Sequence, residues 1–216
     1  MWIESWEHLV DQVHGAGAYT ATSPFGKIAR HIRKAVAATV HPAGSSKFTI
    51  YPESGKKTDM GNGVKPIKNG FTDKLVELGW TLERKPPRNS DDEAKGSRPG
   101  AFDCHYDFGD DNLKPFVVEW ETGNISSSHR AINRIGLGIK KGYISGGALI
   151  VPTAPLAIYL TDRVGNKREL LPYYDLWRTW DQLASTAYFG IIAVEHDAES
   201  LDVPRIPKGT DGRAAR

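Results

Sequence analysis

Two short apolar runs constrain this chain more than any other feature. Ala148 to Val151 runs unbroken into Pro152, and Gly190 to Val194 has the same character. A strand with one face in water alternates apolar and polar residues, so an uninterrupted run indicates a strand covered on both faces. Helices packed on the two sides of a sheet provide that cover. With 216 residues the chain is long enough for one such sheet and short for two independent cores. The expectation is an α/β fold, a mixed central β-sheet flanked by helices, forming one domain over 1–196. Residues 86–100 read as a polar, mobile insertion, and 197–216, rich in Pro, Gly and charge, as a flexible C-terminal tail.

The other elements fall between these strands. Ile3, Trp6, Val10 and Val13 stand at helical spacing, which predicts a helix over 3–14 that ends before Gly15. Ser23 as cap, Pro24 in the first turn and the stripe Ile28, Ile32, Val36 predict a second helix, with Lys27, Arg30, Arg33 and Lys34 on its open face. Lys47 to Tyr51 alternates like a strand. A helix over 67–78 stops at Gly79, and a strand begins near Trp80. Strands over about 101–108 and 115–121 form a hairpin through Gly109 to Asn112. A helix opens near Ser126 to Ser128, buries Ile132, Ile135 and Ile139, and closes at Gly142. A last helix is predicted from Leu170 to Trp180.

Composition excludes several functions. A formal net charge of +2 does not announce a nucleic-acid partner, so any basic surface must come from local clustering. The lone Cys104 rules out a disulfide framework and a cysteine-rich zinc site, and no two of the seven His stand at close ligand spacing. No apolar run approaches the ~18 to 20 residues of a membrane span, and Met1 to Glu4 lack the order of a signal peptide. No membrane partner and a cytoplasmic location are expected. Gly136, Gly138 and Gly142 end a helix rather than open one after a strand, so they make no nucleotide fingerprint.

The chemistry sits in the hairpin. Strand alternation sends Glu119 and Glu121 to one face and Val118 and Trp120 to the other. If the turn is centred near Asp111, Asp103 lies across from Glu119, and three carboxylates converge with Asp107 in reserve. Such a cluster is costly unless a cation occupies it. Mg²⁺ suits Asp103, Glu119 and the backbone carbonyl of Trp120, because a hard octahedral ion takes oxygen ligands and keeps several waters. The competing reading is a solvated strand face on which acids alternate without further purpose. His105 shares the carboxylate face but reads as a hydrogen-bonded structural residue, and Cys104 as a small core residue.

An acid, a spacer and then acid-x-acid on the next strand, here Asp103, Glu119 and Glu121, resembles the signature of the PD-(D/E)XK nuclease fold. Within that fold the chain is similar to type II restriction endonucleases of the BamHI and BglII kind, and nearer to the BamHI kind, which carries Glu where most relatives keep Lys. The resemblance runs from about 63 to 195 and includes Gly63 to Ile67 and Phe71 to Trp80. Asn124, Ser126 and Arg130 stand three, five and nine residues after Glu121, and the adjacent pair Asp162 and Arg163 begins 41 residues after it. Those intervals match the DNA base-reading residues of the BamHI kind.

The resemblance implies a Mg²⁺-dependent endonuclease that hydrolyses double-stranded DNA at a short palindrome, GGATCC or another GATC-centred site. A homodimer follows from the two-fold symmetry of such a site. A cognate methyltransferase would be a genetic partner only. Asp103 and Glu119 are implied as metal ligands, Glu121 as a second-ion ligand or proton acceptor, and Asp73, or else Glu77, as a further acid. The base-reading roles have chemistry behind them, since Arg fits O6 and N7 of guanine and Asp accepts from cytosine N4. Plainer roles stay open: Asn124 and Ser126 as helix caps, Arg130 as half of an ion pair, Asp162 with Arg163 as a turn-stabilising pair. Two other functions also stay open, a structure-selective or repair nuclease on the same scaffold and a DNA-binding regulator without catalysis.

Overall fold

The computed structural model describes residues 1–12, 23–54, 60–87, 99–110, 112–161, 163–184 and 187–208. The central sheet contains β1 (Trp2–Asp11), β3 (Thr81–Arg84), β4 (Phe102–Tyr106), β5 (Phe116–Trp120), β6 (Gly146–Pro152) and β7 (Tyr188–Glu195), in the order β1-β7-β6-β5-β4-β3. β5, β6 and β7 are parallel to one another, while β1, β4 and β3 pair antiparallel. The sheet is mixed, as expected, and the two apolar runs are its central strands. A short parallel pair, β2 (Thr49–Ile50) and β8 (Ala198–Glu199), stands apart from it.

Alternate residues of the central strands feed two separate cores. Val118, Trp120, Ile150 and Ile192 meet α1 (Pro24–Ala38) and α2 (Lys65–Glu77) through Ile28, Ile32, Phe71 and Leu75. Val117, Leu149, Ile191 and Phe189 meet α3 (Ile125–Lys140) through Ile132 and Ile135, together with Trp177. Truncating one of these isoleucines to Ala would cost ~2 to 5 kcal/mol. Three short helices follow β6: α4 (Ala154–Ile158), whose Leu156 joins the first core, and α5 (Lys167–Leu170) and α6 (Tyr174–Arg178), whose Leu170 and Trp177 join the second. Ser23 caps α1 by accepting from Gly26 N–H at 3.0 Å, as its sequence predicts. No helix among the described residues is long and apolar enough to cross a membrane.

Three expectations are corrected. The predicted helix over 3–14 is β1, an edge strand on β7 as far as Asp11, and residues 13 and 14 lie outside the described residues. Register shifts between Ile3 and Ser5 and between His8 and Val10 each insert a residue; the first stretches the same-face spacing of Ile3 and Trp6 to three, while Val10 packs into the core on the opposite face. The helix expected from Leu170 to Trp180 is instead α5, a 3₁₀ turn at Leu171–Tyr173, α6 and a second 3₁₀ turn at Thr179–Gln182. Pro172, which has no N–H to donate, interrupts it. The expected tail is packed over its first part: Asp197 accepts from Phe48 N–H, β8 pairs with β2, and Ile206 is buried. Residues 209–216, like 88–98 of the expected insertion, lie outside the described residues.

Candidate active site

The hairpin has the register that a turn centred on Asp111 requires. Cys104 pairs with Val118, His105 with Val117 and Tyr106 with Phe116, so Asp103 and Glu119 come next in line. They touch at the open end of the ladder. Asp103 N–H lies 3.4 Å from Glu119 Oε2, and Asp103 Oδ2 accepts from Trp120 N–H at 2.9 Å. Parallel pairing with β6 continues to Trp120 and Ile150, and Glu121 N–H donates to Ile150 O at 2.9 Å. The acids therefore sit where the central strands end and their chains turn away.

Each acid has a partner of its own. Lys68, from α2, places Nζ 2.7 Å from Asp103 Oδ1. Arg134, from α3, places Nε 3.1 Å from Glu119 Oε1 but off the line of a hydrogen bond, and it anchors its other end by donating from Nη1 to Ala101 O. Glu121 Oε1 accepts from Gly123 N–H at 2.7 Å. The expectation that all three carboxylates converge is corrected: among the described residues no three acidic, His or Cys side chains gather as a metal site. Mutual repulsion explains the separation, because each acid is better placed against a cation or an N–H than against another acid. Asp107 is spent on its turn, accepting from Gly109 N–H.

Electrostatics single out Glu119. It is 3 % exposed, and burial, followed by the charge of Asp103, pushes its pKa up to about 8 against the pull of Arg134. Burial likewise raises Glu121, with Asp103 adding to it and Gly123 N–H opposing. Burial disfavours the Lys68 charge, but Asp103 through its charge and its hydrogen bond, with Glu83 behind it, holds that pKa above the ordinary value. Glu119 Oε1 is a buried acceptor without a hydrogen-bond donor. That oxygen, ion-paired with Arg134 but without a hydrogen bond, and the carboxylate of Asp103 are hard ligands that fit a divalent cation, which Asp103, Glu119 and the Trp120 carbonyl would hold.

Asp73 is not part of this cluster. It lies five residues beyond Lys68 on α2, about 140° around the helix, and is exposed. Glu77 pairs with Lys74. The acid whose field reaches Lys68 and Cys104 is Glu83, on β3, whose φ of 53° is rare outside glycine. His105 borders the cleft of Thr81, Arg84, Phe102 and Tyr143 beyond the carboxylates. Cys104 is a buried free thiol, raised by burial.

Of the expected base readers, Asn124, Ser126 and Arg130 lie at the start of α3, and Arg163 lies on a loop bonded to Gly123 just before it. Asn124 caps α3, its Oδ1 accepting from Ser127 N–H at 3.1 Å, so the capping role is real. Ser126 and Arg130 are exposed on the first turns of α3; Arg130 forms no ion pair among the described residues, and its charge reaches Glu121. Asp162 lies outside the described residues, and Arg163 is exposed. Gly165 N–H donates to Gly123 O at 2.8 Å, and a Cβ on Gly165 would stand 3.0 Å from the backbone of Ile125. The loop of Arg163 is thus seated on the start of α3.

Sequence reasoning passed over Lys68 and Arg134. Both carried a signal. Lys68 stands three, four and seven residues before Phe71, Thr72 and Leu75, all buried, and so belongs to the inner stripe of α2. Arg134 stands between the buried Ala131 and Gly138 on α3. A cation on an inner stripe needs an anion to meet.

Comparison with known proteins agrees with this geometry. The family model described as restriction endonuclease BamHI matches residues 1–213. The type II restriction enzyme OkrAI of Oceanobacter kriegii is 45% identical over 189 residues, which cover 88% of this chain and 90% of that enzyme. The type II restriction enzyme BamHI of Bacillus amyloliquefaciens is 35% identical over 189 residues, covering 86% and 81%. Among solved structures, restriction endonuclease BglII complexed with a DNA 16-mer superposes with a TM-score of 0.60 at 10% identity, over 91% of this chain and 79% of that one, which speaks for the fold. Carboxylates at a sheet end, basic residues from two helices and these relatives place the chain in the BamHI family of type II restriction endonucleases, site-specific deoxyribonucleases.

Proposed function

We propose that this enzyme requires Mg²⁺ and cuts both strands of a GATC-centred palindrome, with GGATCC the first candidate. The carrying observation is the pair of hydrogen bonds at Gly123, to Glu121 on one side and to Gly165 on the other, which supports a reading in which the loop of Arg163 contacts bases next to the acids. Asn124, Ser126, Arg130, Asp162 and Arg163 face the bases in this reading. Asp162 and Arg163 address one G·C pair and Arg130 a second guanine.

The chain's own groups account for much of the hydrolysis. When bound to Asp103, Glu119 and the Trp120 carbonyl, the cation supplies positive charge to the scissile phosphate and acidifies nearby water. Glu121 accepts the proton of the attacking water, a task that its raised pKa suits. Lys68 holds Asp103 in place and offsets charge that builds on the phosphate. Arg134 orients Glu119.

A homodimer supplies the second active site that a palindrome needs. Leu171, Tyr173 and Leu176 are 47%, 44% and 61% exposed on the segment that meets α3 through Tyr173 and His129, 4.5 Å apart. Such an apolar group suits a second copy of the chain. The enzyme acts in the cytoplasm, with a methyltransferase of the same specificity as its genetic partner and not a bound one. A plasmid digest with and without Mg²⁺ tests the proposal. Discrete fragments only with Mg²⁺ are expected, and a smear, or no cleavage in either buffer, would overturn it.

A further inference from the structure

Asn62 has no accessible surface and pairs only in an isolated bridge with Leu160. Buried amides must find partners, and this one finds three. Its Nδ2 donates to the carbonyls of Tyr51 and Tyr159, each at 2.9 Å, and its Oδ1 accepts from Ile206 N–H at 3.1 Å. Its own N–H donates to Tyr159 O, and its carbonyl accepts from Thr161 N–H, both at 2.8 Å. Three segments far apart in the chain meet on one residue.

The segments on either side of this knot lead to the site. Beyond Thr161 come Asp162 and Arg163, and the far end of their loop is fixed to α3 by the bond from Gly165 to Gly123. Beyond Asn62 comes Gly63, which donates to Ile206 O at 2.9 Å. A Cβ on Gly63 would lie 1.9 Å from Pro207 O, so the chain has no slack there. Then α2 begins without a side-chain cap at Val64. Pro66 favours a helix start there, and with no side-chain cap the anchored residues before it hold the first turn in place. Lys68, in that first turn, reaches Asp103.

We propose that Asn62 is a positioning residue that couples the seating of the base-reading loop to the placement of Lys68 and Asp103, and so couples recognition to the rate of cleavage. The proposal rests on the reading of Asp162 and Arg163 as base contacts. When Arg163 seats on its base pair, the segment from Tyr159 to Thr161 is fixed, the Tyr159 carbonyl holds Asn62 Nδ2, and six residues of backbone carry that position to Lys68. A wrong base pair leaves the loop unseated and the lysine off its mark. Densely packed, hydrogen-bonded segments pass on small shifts instead of absorbing them.

Single-turnover cleavage at saturating enzyme tests this on two duplexes, one carrying GGATCC, or the site that the plasmid digest maps, and one with an outer G·C pair changed to A·T. The proteins are the wild type, Asn62→Ala, Arg163→Ala and the double variant. Asn62→Ala removes the side-chain bonds and keeps the main-chain ones. It should slow cleavage of the correct duplex roughly two- to thirty-fold, slow the altered duplex much less, and change little in the Arg163→Ala background. Thermal denaturation monitors folding, and Asn62→Ser, which keeps one donor, replaces an Ala variant that does not fold. An equal loss on both duplexes and in both backgrounds would overturn the proposal, because Asn62 would then serve the fold alone. Unchanged discrimination by Arg163→Ala would sink the base-reading assignment and the coupling with it. Lost discrimination with additive effects would sink the coupling only.

Discussion

Gly123 N–H donates to Glu121 Oε1 at 2.7 Å, and it is this bond that aims the carboxylate. A Cβ on Gly123 would stand 2.7 Å from the same oxygen and 3.1 Å from Ser127 Oγ. Gly123→Ala should therefore displace Glu121 and lower the single-turnover rate roughly 100-fold, the usual effect of a misplacement near 1 Å. Glu121→Ala should be nearly inert, while Glu121→Lys should retain measurable activity because the wider fold uses Lys at this place. A Glu121→Ala protein that cuts at a normal rate would remove Glu121 from the reaction.

Lys68 and Asp103 form the second prediction. Lys68→Met keeps the length of the side chain and removes its charge. Cleavage should fall roughly 100-fold, yet Mg²⁺ measured by calorimetry should bind more tightly, because Asp103 no longer shares its oxygen with an ammonium group. The melting temperature should hardly move, as befits a partly exposed ion pair. Weaker Mg²⁺ binding together with unchanged cleavage would contradict both roles.

How much of this was legible depends on what each residue's neighbours are. β5, β6 and β7 were readable because strands covered on both faces leave an unbroken apolar run, and the pairing of Asp103 with Glu119 because a hairpin's register follows from its turn. β1 reads as a helix because an inserted residue and apolar side chains on both faces of the strand together imitate a helical repeat. Lys68 and Arg134 escape a sequence reading because a cation beside an acid depends on tertiary approach: Lys68 lies 35 residues before Asp103 and Arg134 lies 15 after Glu119. Asp73 and Glu77 read as candidate acids because sequence alone does not say which way a helix is rotated, and rotation turns Asp73 away from Lys68.

Glu119 yields a prediction in pH. Folding raises its pKa from 4.5 to about 8, so between those values the native state holds more protons than the unfolded one. Stability without metal therefore falls as pH rises through that window. Glu119→Gln removes the loss and should raise the metal-free melting temperature at pH 8.5 by roughly 5 °C or more. At pH 4 both proteins should melt together. The same variant should not cleave, yet should bind DNA as well as the wild type or better, since a negative charge near the phosphate is gone. Equal melting curves at pH 8.5 would show that folding does not raise the Glu119 pKa.

Leu176, 61% exposed on α6, offers a test of the dimer. Leu176→Asp places a charge in the apolar group that Leu171 and Tyr173 complete, and a charge desolvated there is costly. Sedimentation should show the wild type as a dimer and the variant shifted toward monomer, with double-strand cleavage giving way to slow nicking. A variant that stays dimeric would place the interface elsewhere.

Arg163 and Arg130 carry the prediction about sequence choice. Both are exposed, and their segments are held together by the bond from Gly165 N–H to Gly123 O. A bidentate contact from arginine to guanine discriminates by about 1 to 3 kcal/mol, so Arg163→Ala should cost roughly ten- to 150-fold in preference at one base pair and Arg130→Ala a similar factor at another. Lys27 and Lys34, exposed on α1, belong to a different class. If they meet phosphates, replacing them should weaken binding to every sequence alike and flatten its dependence on salt, because such contacts act through released counterions. A digest of DNA carrying one GGATCC and one AGATCT site separates the possibilities. Cutting confined to GGATCC, and lost with Arg163→Ala, is the expected result. Cutting confined to AGATCT would mean that Asp162 and Arg163 do not select the outer G·C pair, and that kinship within the family does not extend to the site it reads.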